Sequence, residues 1–259
     1  DYDMIVSMGE VWSTMVVAAY LEARGLRCGW ADIRRLLLTD DRHRDANIIW
    51  PESATRIRAA FSFSDKQIYV TQGFIGCTSA GETTTLGREG SDFTAAIIGN
   101  ILDAERVVVW KDVPGIMSAD PKWISGAETI RNLSYNEAVE TTFSGAKVIH
   151  PKTIKPLHNK NIPMQVRSFV DHSEQGTVIS SVTSEGKKTP VFIKKENQIM
   201  ISILPKDLSF VMGENLAGVF HCFEQYGVKV NMVQAGAVSI DVCADDERSR
   251  IEKVIRELG

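Results

Sequence analysis

The sequence has few cysteines, and their spacing matches neither a metal site nor a disulfide framework. The four residues, Cys28, Cys77, Cys222 and Cys243, lie far apart in the chain. They form no CxxC or cysteine–histidine pattern of the kind that holds zinc, and small disulfide-stapled domains use cysteine far more densely. We therefore expect no metal held by protein ligands and a reducing, cytoplasmic location.

Long apolar runs and an excess of basic residues are also missing. No uninterrupted apolar run reaches the roughly 18–20 residues that span a bilayer, and the N-terminus lacks a basic segment followed by an apolar stretch. The formal net charge is −4, whereas nucleic-acid binders usually carry a basic surface. We therefore expect neither a membrane nor a nucleic acid as a partner.

What the sequence does contain is the composition of an ordinary folded protein. With 259 residues, 44% of them hydrophobic, the chain can bury one large core and a smaller second one. It opens at Asp1 in the stretch DYDMIVSMGE, which resembles the middle of a fold. We expect two domains, and we expect both ends to be incomplete.

Apolar patterns predict α/β structure in the first part of the chain. Residues 4–7 are typical of a strand, followed by a glycine turn and a helix over 12–21. Residues 68–75 are typical of a second buried strand, a helix follows over 92–102, and RVVVW at 106–110 is a third strand. Strands joined by so short a helical crossover are expected to be parallel neighbours, with helices on the faces of the sheet.

The composition changes at residues 180–198, where a polar stretch with glycine and proline predicts a linker. The linker separates an α/β domain of residues 1–179 from a smaller domain of residues 199–259. The smaller domain is expected to have the order strand, helix, strand, strand, helix, over 199–204, 212–226, 228–233, 238–243 and 246–258. This order lacks one strand of the ferredoxin-like βαββαβ fold.

The segment TTTLGREGSD is the first candidate for a functional site. Five of its residues lie at the start of the predicted helix: Gly87, Arg88, Gly90, Ser91 and Asp92. A helix N-terminus offers unpaired N–H groups to phosphate, and arginine can grip a carboxylate with two hydrogen bonds. Ser91 and Asp92 are expected at the helix cap, and capping needs no further function. From spacing alone, anion binding and simple capping are equally supported.

Three other positions have both a functional and an ordinary explanation. Glu10 follows a predicted strand and a glycine, where open α/β sheets bind ligands, yet it could be a plain helix-start carboxylate. Residues 111–122 hold two turn signals, Pro-Gly and Asp-Pro, and could be two surface turns. Lys147 lies in an apolar, glycine-containing segment where a solvated charge is less expected. His150 and His158 have no second ligand at metal spacing, so we expect them to be structural or exposed.

Taken together, these segments resemble the aspartate kinases of the amino-acid kinase family. The resemblance covers nearly the whole chain and is carried by SMGEVWST (7–14), TQGFIGCTSAGETTTLGREGSDFTAA (71–96), WKDVPGIMSADPK (110–122), FSGAKVIHPKT (143–153) and NMVQAGAVSI (231–240). TTTLGREGSD followed in order by KDVPGI and SGAKVIHP is highly specific, whereas a phosphate-type loop alone would be a weak signal. The implied fold is a three-layer α/β/α domain with a mainly parallel sheet.

The resemblance implies transfer of the ATP γ-phosphoryl group to the side-chain carboxylate of L-aspartate, giving 4-phospho-L-aspartate and ADP. This reaction begins the biosynthesis of lysine, threonine and methionine. The implied cofactors are ATP and Mg²⁺. A carboxylate is already a nucleophile at neutral pH, so catalysis would depend on positioning and charge neutralisation rather than on a general base.

Matched residue by residue, the resemblance implies a role for each candidate. Glu10 corresponds to a contact of the aspartate amino group, and Arg88 corresponds to the clamp on its α-carboxylate. Three further residues border the substrate pocket: Phe74, Gly90 and Ser91. The implied catalytic residues are Asp92, which orients cationic groups, and Lys147, near the phosphates. The implied nucleotide-binding residues are Lys111, Asp112, Met117, Lys122, Lys147 and Val148.

The chain departs from the family pattern in three places. The family begins with a KFGGTS-like strand and loop that carries a phosphate-contacting lysine, and this sequence begins past it. Met117 stands where relatives often have an aromatic residue against the nucleotide, and Lys122 stands where arginine is common. We therefore expect the nucleotide contacts to differ in detail.

The smaller domain resembles an ACT module, a regulatory fold that binds amino acids between copies of itself. The resemblance implies feedback regulation by an end-product amino acid, lysine or threonine, and a homodimer formed through these modules. By position, the effector-site residues would be Met212, Glu214, Asn231 and Gln234. An ordinary helix cap and loop would explain these four almost as well.

Two alternative functions remain open. Another amino-acid kinase, acting on glutamate, acetylglutamate or a nucleoside monophosphate, would share the fold. The combination of Glu10, the TTTLGREGSD segment and an ACT-like module argues against it. The second alternative is a non-catalytic amino-acid sensor on a degenerate kinase fold, which the lack of the KFGGTS-like loop favours.

Overall fold

The chain divides into two compact units, Asp1–Ile193 and Lys194–Gly259. The structure is a computed structural model, and it describes residues 2–145, 148–181, 189–205 and 214–259. The division falls within residues 180–198, where the polar composition predicts a linker. Each unit is described by itself below.

The first unit alternates helices and short strands. Its helices are α1 (Tyr2–Ala23), α2 (Trp50–Ala60), α3 (Gly90–Ile101), α4 (Tyr135–Phe143) and α5 (Pro151–His158), with a short 3₁₀ helix at Ile33–Arg35. Its strands are β1 (Cys28–Ala31), β2 (Ile68–Thr71), β3 (Ile75–Cys77), β4 (Thr83–Thr85), β5 (Val107–Lys111), β6 (Asn132–Ser134), β7 (Met164–Ser168) and β8 (Thr177–Ser180). The α/β class predicted from the apolar patterns is therefore the observed one.

The strands of the first unit form a four-stranded sheet and two smaller ladders. In the larger sheet the order is β5-β7-β8-β6, where β5 and β6 run parallel to their neighbours while β7 and β8 are antiparallel. The smaller ladders are a parallel pair, β1-β2, and an antiparallel pair, β3-β4. The arrangement is a mixed sheet structure with helices packed on it.

The prediction of a strand at residues 4–7 was wrong. These residues lie inside α1, which continues through Gly9 to Ala23. A glycine in a helix interior costs only about 1 kcal/mol relative to alanine, so the surrounding contacts of α1 with β1, β2 and β4 decide the conformation. Glu10 therefore lies in the middle of a helix and not at the end of a strand.

The prediction of one continuous strand at 68–75 was also wrong. The chain breaks between β2 and β3, where Phe74 adopts a left-handed backbone conformation with φ of 49°. Such a conformation is uncommon for a non-glycine residue and turns the chain out of the extended direction. β3 pairs with β4 and β5 pairs with β7, so the strands flanking α3 lie in different ladders and are not the parallel neighbours predicted.

Helix α3 lies between two hydrophobic clusters of the first unit. Its Ile97 packs in a cluster with Ile33 and Ile57, whereas the adjacent Ala96 packs in a cluster with Val109 and Val166. As its spacing predicts, the helix buries the one-turn series Phe93, Ile97 and Ile101. Burying such a side chain contributes about 1.5–3 kcal/mol, so packing on both faces fixes where the N-terminus of α3 lies.

By length and composition, α1 could cross a bilayer, since an 18-residue window within it has a mean hydropathy of 1.4. Several of its large apolar side chains are exposed, including Ile5, Trp12 and Val16. Its polar residues nevertheless bind the rest of the first unit: the carboxylate of Asp3 accepts a hydrogen bond from the backbone N–H of Thr85. The absence of a membrane partner stays a prediction.

The second unit has the predicted order of elements. β9 (Gln198–Ile203), α6 (Glu214–Gln225), β10 (Val230–Ala235), β11 (Ile240–Asp245) and α7 (Arg248–Leu258) follow one another along the chain. The strands form an antiparallel sheet of order β10-β11-β9. Its core includes Phe223, Ile240, Val242, Ile251 and Val254.

Candidate active site

The site forms around the first turn of α3. The helix begins at Gly90, and its N-cap residue is Glu89, which has φ of 53° and makes no side-chain capping hydrogen bond. The prediction that Ser91 and Asp92 cap the helix was therefore wrong, because both lie inside the first turn. The N–H group of Gly90 donates to the carbonyl oxygen of Gly87 at 3.2 Å. Since no side chain caps the helix, the N–H groups of Ser91 and Asp92 remain available to an anionic group.

The loop between β2 and β3 packs directly on this turn. A Cβ atom added to Gly73 would lie 2.6 Å from the Oγ of Ser91, and one added to Gly90 would lie 2.6 Å from the Cβ of Phe74. The backbone N–H of Phe74 also donates a 3.0 Å hydrogen bond to the Oγ1 of Thr94. The close approach requires glycine at both positions and brings Phe74, Gly90 and Ser91 together.

Glu10 reaches the same place from α1. Its Oε1 accepts a hydrogen bond of 3.0 Å from the backbone N–H of Gly73. The half-buried carboxylate therefore lies against the loop that packs on α3. Although the sequence pattern assigned Glu10 to the wrong element, the fold brings it to the residues with which it was grouped.

An ion pair joins the first turn of α3 to the end of β5. The Nζ of Lys111 lies 2.6 Å from the Oδ2 of Asp92, and the two side chains are 25% and 14% exposed. Lys111 is the last residue of β5, so a cation and a carboxylate are held together beside the uncapped helix start. This arrangement suits a multiply charged anion, because the ammonium attracts it while the carboxylate fixes the ammonium.

Arg88 lies in the turn before α3 and is exposed. Within the described part of the chain, its guanidinium makes no hydrogen bond or ion pair with a protein group. An arginine without a partner keeps all its donors for a ligand, and it can bind a carboxylate through two of them.

The other predicted nucleotide-binding residues follow β5. Asp112 and Lys122 are exposed, and Met117 forms an isolated bridge with Thr129. In the described ranges, no hydrogen bond or ion pair links these side chains to α3. Val148 is half-buried and packs against the core cluster around β5 and β7, whereas Lys147 lies outside the described residues.

The predicted effector residues belong to the second unit. Met212 lies outside the described residues, Glu214 begins α6, and Gln234 is exposed on β10. Asn231 donates to the Oδ1 of Asp245 at 2.7 Å and accepts from the Nζ of Lys195 at 2.6 Å.

Asn231 therefore belongs to a polar network that the sequence reasoning missed. Its other members are Lys195, Gln198 and Asp245. The pKa of Asp245 is lowered from 3.8 to about 2, chiefly by a hydrogen bond from Gln198 and next by one from Lys195. These partners lie up to 50 positions apart in the sequence, and the pairing of β9 with β11, which puts Gln198 opposite Asp245, helps to bring them together.

Sequence reasoning also missed a buried carboxylate that supports the site. The Oδ2 of Asp3 accepts hydrogen bonds from the backbone N–H groups of Arg44 and Thr85, both at 3.0 Å. It also lies 3.2 Å from the Nδ1 of His43. The side chain of Asp3 is 2% exposed. Thr85 is the last residue of β4 and belongs to the TTTLGREGSD segment, which continues from it to α3. The signal available in the sequence was a single aspartate, Asp3, directly before an apolar stretch.

The residues present fit a magnesium ion carried by a nucleotide. Within the described residues there is no group of three or more histidine, cysteine, aspartate or glutamate side chains arranged to hold a metal. Mg²⁺ is commonly bound through one or two carboxylates together with substrate phosphates. Asp92 is a carboxylate of that kind beside the helix start.

The comparisons with known proteins agree with this geometry. A sequence profile of the amino acid kinase family matches residues 1–168. Lysine-sensitive aspartokinase 3 of Escherichia coli (strain K12) is 34% identical over 247 residues, which is 94% of this chain and 54% of that protein.

Two solved structures are similar over essentially the whole chain. E. coli aspartokinase III in complex with aspartate and ADP has a TM-score of 0.79 and 32% identity, covering 99% of this chain and 59% of that one. Aspartate kinase of Clostridium acetobutylicum has a TM-score of 0.85 and 26% identity, covering 100% of this chain and 58% of that one. The chain thus spans little more than half the length of these relatives.

Proposed function

The chain belongs to the amino acid kinase family, and from that premise we propose that it forms part of an aspartate kinase. The reaction would transfer the γ-phosphoryl group of ATP to the side-chain carboxylate of L-aspartate, giving 4-phospho-L-aspartate and ADP. The observation that carries the proposal is the convergence of Glu10, the Gly73–Phe74 loop and the Asp92–Lys111 pair at the start of α3. The similar E. coli enzyme has been solved with aspartate and ADP.

Aspartate would be held at its two non-reacting groups. The carboxylate of Glu10 would accept hydrogen bonds from the amino group, and the unpartnered guanidinium of Arg88 would bind the α-carboxylate through two parallel bonds. Phe74, Gly90 and Ser91 would form the wall between them. Holding both ends leaves the side-chain carboxylate fixed relative to the phosphates, which is the main contribution of positioning to such a transfer.

The phosphates would lie against the N-terminus of α3. Uncapped N–H groups and the ammonium of Lys111 would attract the negative charge, and Asp92 would keep that ammonium in place. We propose Lys147 as a second phosphate contact and a catalytic residue. Mg²⁺ would be carried by the nucleotide and would neutralise phosphate charge when bound, with the carboxylate of Asp92 facing it beside the helix start.

The base and ribose of ATP would lie on the segment after β5. We assign these contacts to Asp112, Met117, Lys122 and Val148. Three of these side chains are exposed or half-buried in the segment that starts at the carboxyl end of β5, which is the end of a strand where α/β folds bind ligands.

For the second unit we propose an ACT-like regulatory role. Its strand order puts the first strand beside the third, as in ferredoxin-like folds, and the related E. coli enzyme is named as lysine-sensitive. An amino-acid effector, lysine or threonine, would bind near Met212, Glu214, Asn231 and Gln234. We further propose that these units pair in a homodimer and that the protein acts in the cytoplasm.

A substrate panel tests the proposed reaction. The full-length protein would be incubated with MgATP and with aspartate, glutamate or UMP as acceptor. Hydroxylamine traps the acyl phosphate formed from aspartate or glutamate as a hydroxamate, and ADP release reports transfer to UMP, which gives no acyl phosphate. We expect a hydroxamate with aspartate alone. Turnover of glutamate or UMP in place of aspartate would establish a different amino-acid kinase. Effector binding without any phosphoryl transfer would establish the sensor.

A further inference from the structure

The side chain of Gln72 is buried between the active-site loop and two other elements. It is 1% exposed and immediately precedes Gly73, whose N–H binds Glu10. Its Oε1 accepts a 2.8 Å hydrogen bond from the backbone N–H of Ile33. That bond fixes the orientation of the amide, so the Nε2 group must face the other way, where it donates to the Oγ1 of Thr14 at 2.7 Å.

Thr14 transmits this contact to the turn of α1 that carries Glu10. Its hydroxyl lies 3.0 Å from the carbonyl oxygen of Glu10 and 2.9 Å from that of Val11, so its one hydrogen is shared between two acceptors of the same helix turn. The same oxygen atom of Thr14 accepts a 3.1 Å hydrogen bond from the Nε1 of Trp30 on β1. The hydroxyl is therefore held from three sides, and the rotation of α1 about its axis is fixed at the turn between residues 10 and 14.

Two consecutive residues thus bind the same turn of α1. Gln72 holds Thr14 through its side chain, and Gly73 holds the carboxylate of Glu10 through its backbone N–H. Without the hydrogen bond between Gln72 and Thr14, the hydrogen bond between Gly73 and Glu10 alone would hold the carboxylate in place. When the helix turn is fixed, the half-buried carboxylate of Glu10 can move only through its own side-chain torsions, whereas a loose turn would also let its backbone move.

We propose that Gln72 is a positioning residue for the substrate, acting through Thr14 to set the distance between the carboxylate of Glu10 and the start of α3. The inference rests on the proposed function, in which Glu10 binds the amino group of aspartate. Gln72 itself touches neither substrate nor nucleotide. Its loss therefore weakens the binding of aspartate and leaves ATP binding and turnover at saturation unchanged.

The test uses three variants and one control in the full-length protein. Gln72→Met keeps the length of the side chain but removes both hydrogen bonds, Thr14→Val removes the hydroxyl, and Thr14→Ser retains it. Ser53→Ala is the control, because Ser53 is also fully buried and its hydroxyl accepts from the backbone N–H of Leu38 in the same unit. KM for aspartate, KM for ATP, kcat and the thermal midpoint are measured for each.

We expect Gln72→Met and Thr14→Val to raise the KM for aspartate by about tenfold, the effect of losing one hydrogen bond that positions a charged group. KM for ATP and kcat should change less than about twofold. Thr14→Ser keeps the hydroxyl, so its KM for aspartate should equal that of the unsubstituted protein. Ser53→Ala should lower the thermal midpoint without changing either KM.

A second readout separates this inference from the proposed function. Hydrogen exchange of the Gly73 amide reports its bond to Glu10 whether or not the protein phosphorylates aspartate. Gln72→Met should accelerate that exchange at least about tenfold, while Ser53→Ala should not. If the unsubstituted protein lacks aspartate kinase activity but exchange responds in this way, the proposed function fails and the positioning role stands. Unchanged exchange and unchanged KM in folded Gln72→Met would overturn the inference.

Discussion

Lys111 and Asp92 form an ion pair whose Nζ and Oδ2 atoms are 2.6 Å apart, joining the end of β5 to the first turn of α3. Neither side chain is more than 25% exposed. A surface ion pair usually contributes only about 0–1 kcal/mol to stability, so its place beside an uncapped helix start matters more than its contribution to folding. We regard the pair as a preformed part of the proposed phosphate site.

Asp92→Asn should lower kcat by about 100-fold, the order of effect seen when one preorganised electrostatic group is removed from a reaction centre. The ammonium of Lys111 would lose its anchor, while the fold would keep its packing around α3. Steady-state kinetics with saturating aspartate and ATP would measure the change. Asp103→Asn provides the control, since Asp103 pairs with Lys160 at the other end of the same helix. Equal losses of kcat in both variants would contradict the assignment.

Arg88→Ala should raise the KM for aspartate by about 10–100-fold, because the α-carboxylate would lose a two-bond partner. Arg88 is exposed and makes no ion pair with another described residue, so thermal stability should not change. Arg42→Ala is the matched control: Arg42 is 74% exposed, with only a 3.8 Å ion pair to Asp40. Unaltered aspartate kinetics in Arg88→Ala would remove this residue from the pocket.

Asp3→Ala should lower the free energy of unfolding by about 2–4 kcal/mol, because the N–H groups of Arg44 and Thr85 would lose their buried acceptor. Urea unfolding of the first unit, followed by fluorescence or circular dichroism, would measure it. Asp41 is an exposed aspartate in the loop that contains Arg44, and Asp41→Ala should change the free energy of unfolding by less than about 0.5 kcal/mol. Similar small losses in both variants would show that the Asp3 network is not a structural anchor.

Asp245 should give the second unit a stability that depends on acid pH. Its pKa is lowered from 3.8 to about 2 in the folded protein, so folding favours the ionised form. The resulting stabilisation is present above the unfolded pKa and is lost as pH falls from 3.8 towards about 2. Unfolding of Asp245→Asn and of the unsubstituted protein should therefore differ most above this window and converge below it. Parallel stability curves across the window would show that Asp245 is not responsible.

The sequence predicted local elements well where one periodicity was enough. The one-turn spacing of Phe93, Ile97 and Ile101 predicted α3, and valine-rich residues at 107–109 predicted β5. The second unit was predicted element by element, because alternating strands and an amphipathic helix have distinct periods. Grouping Glu10 with the α3 residues was also possible, but only through the resemblance of several motifs to a family.

The remaining features depend on contacts that are distant in sequence. α1 was misassigned because Met8-Gly9 resembles a turn, while the contacts that keep it helical come from β1, β2 and β4. Phe74 has its left-handed conformation where it packs against Gly90, 16 positions further along the chain. No local pattern pairs Gln72 with Thr14 at a separation of 58 residues. These contacts determine the geometry of the site, so its residue types could be predicted and its construction could not.

The central claim is that the start of α3 holds the phosphates while Glu10 and Arg88 hold aspartate beside them. A crystal structure of the full-length protein with aspartate, Mg²⁺ and a non-hydrolysable ATP analogue tests it most directly. We predict the amino group of aspartate on Glu10, its α-carboxylate on Arg88, and the terminal phosphate between Lys111 and the N–H groups of α3. Aspartate bound away from Glu10 and Arg88, or phosphates bound away from α3, would contradict the claim.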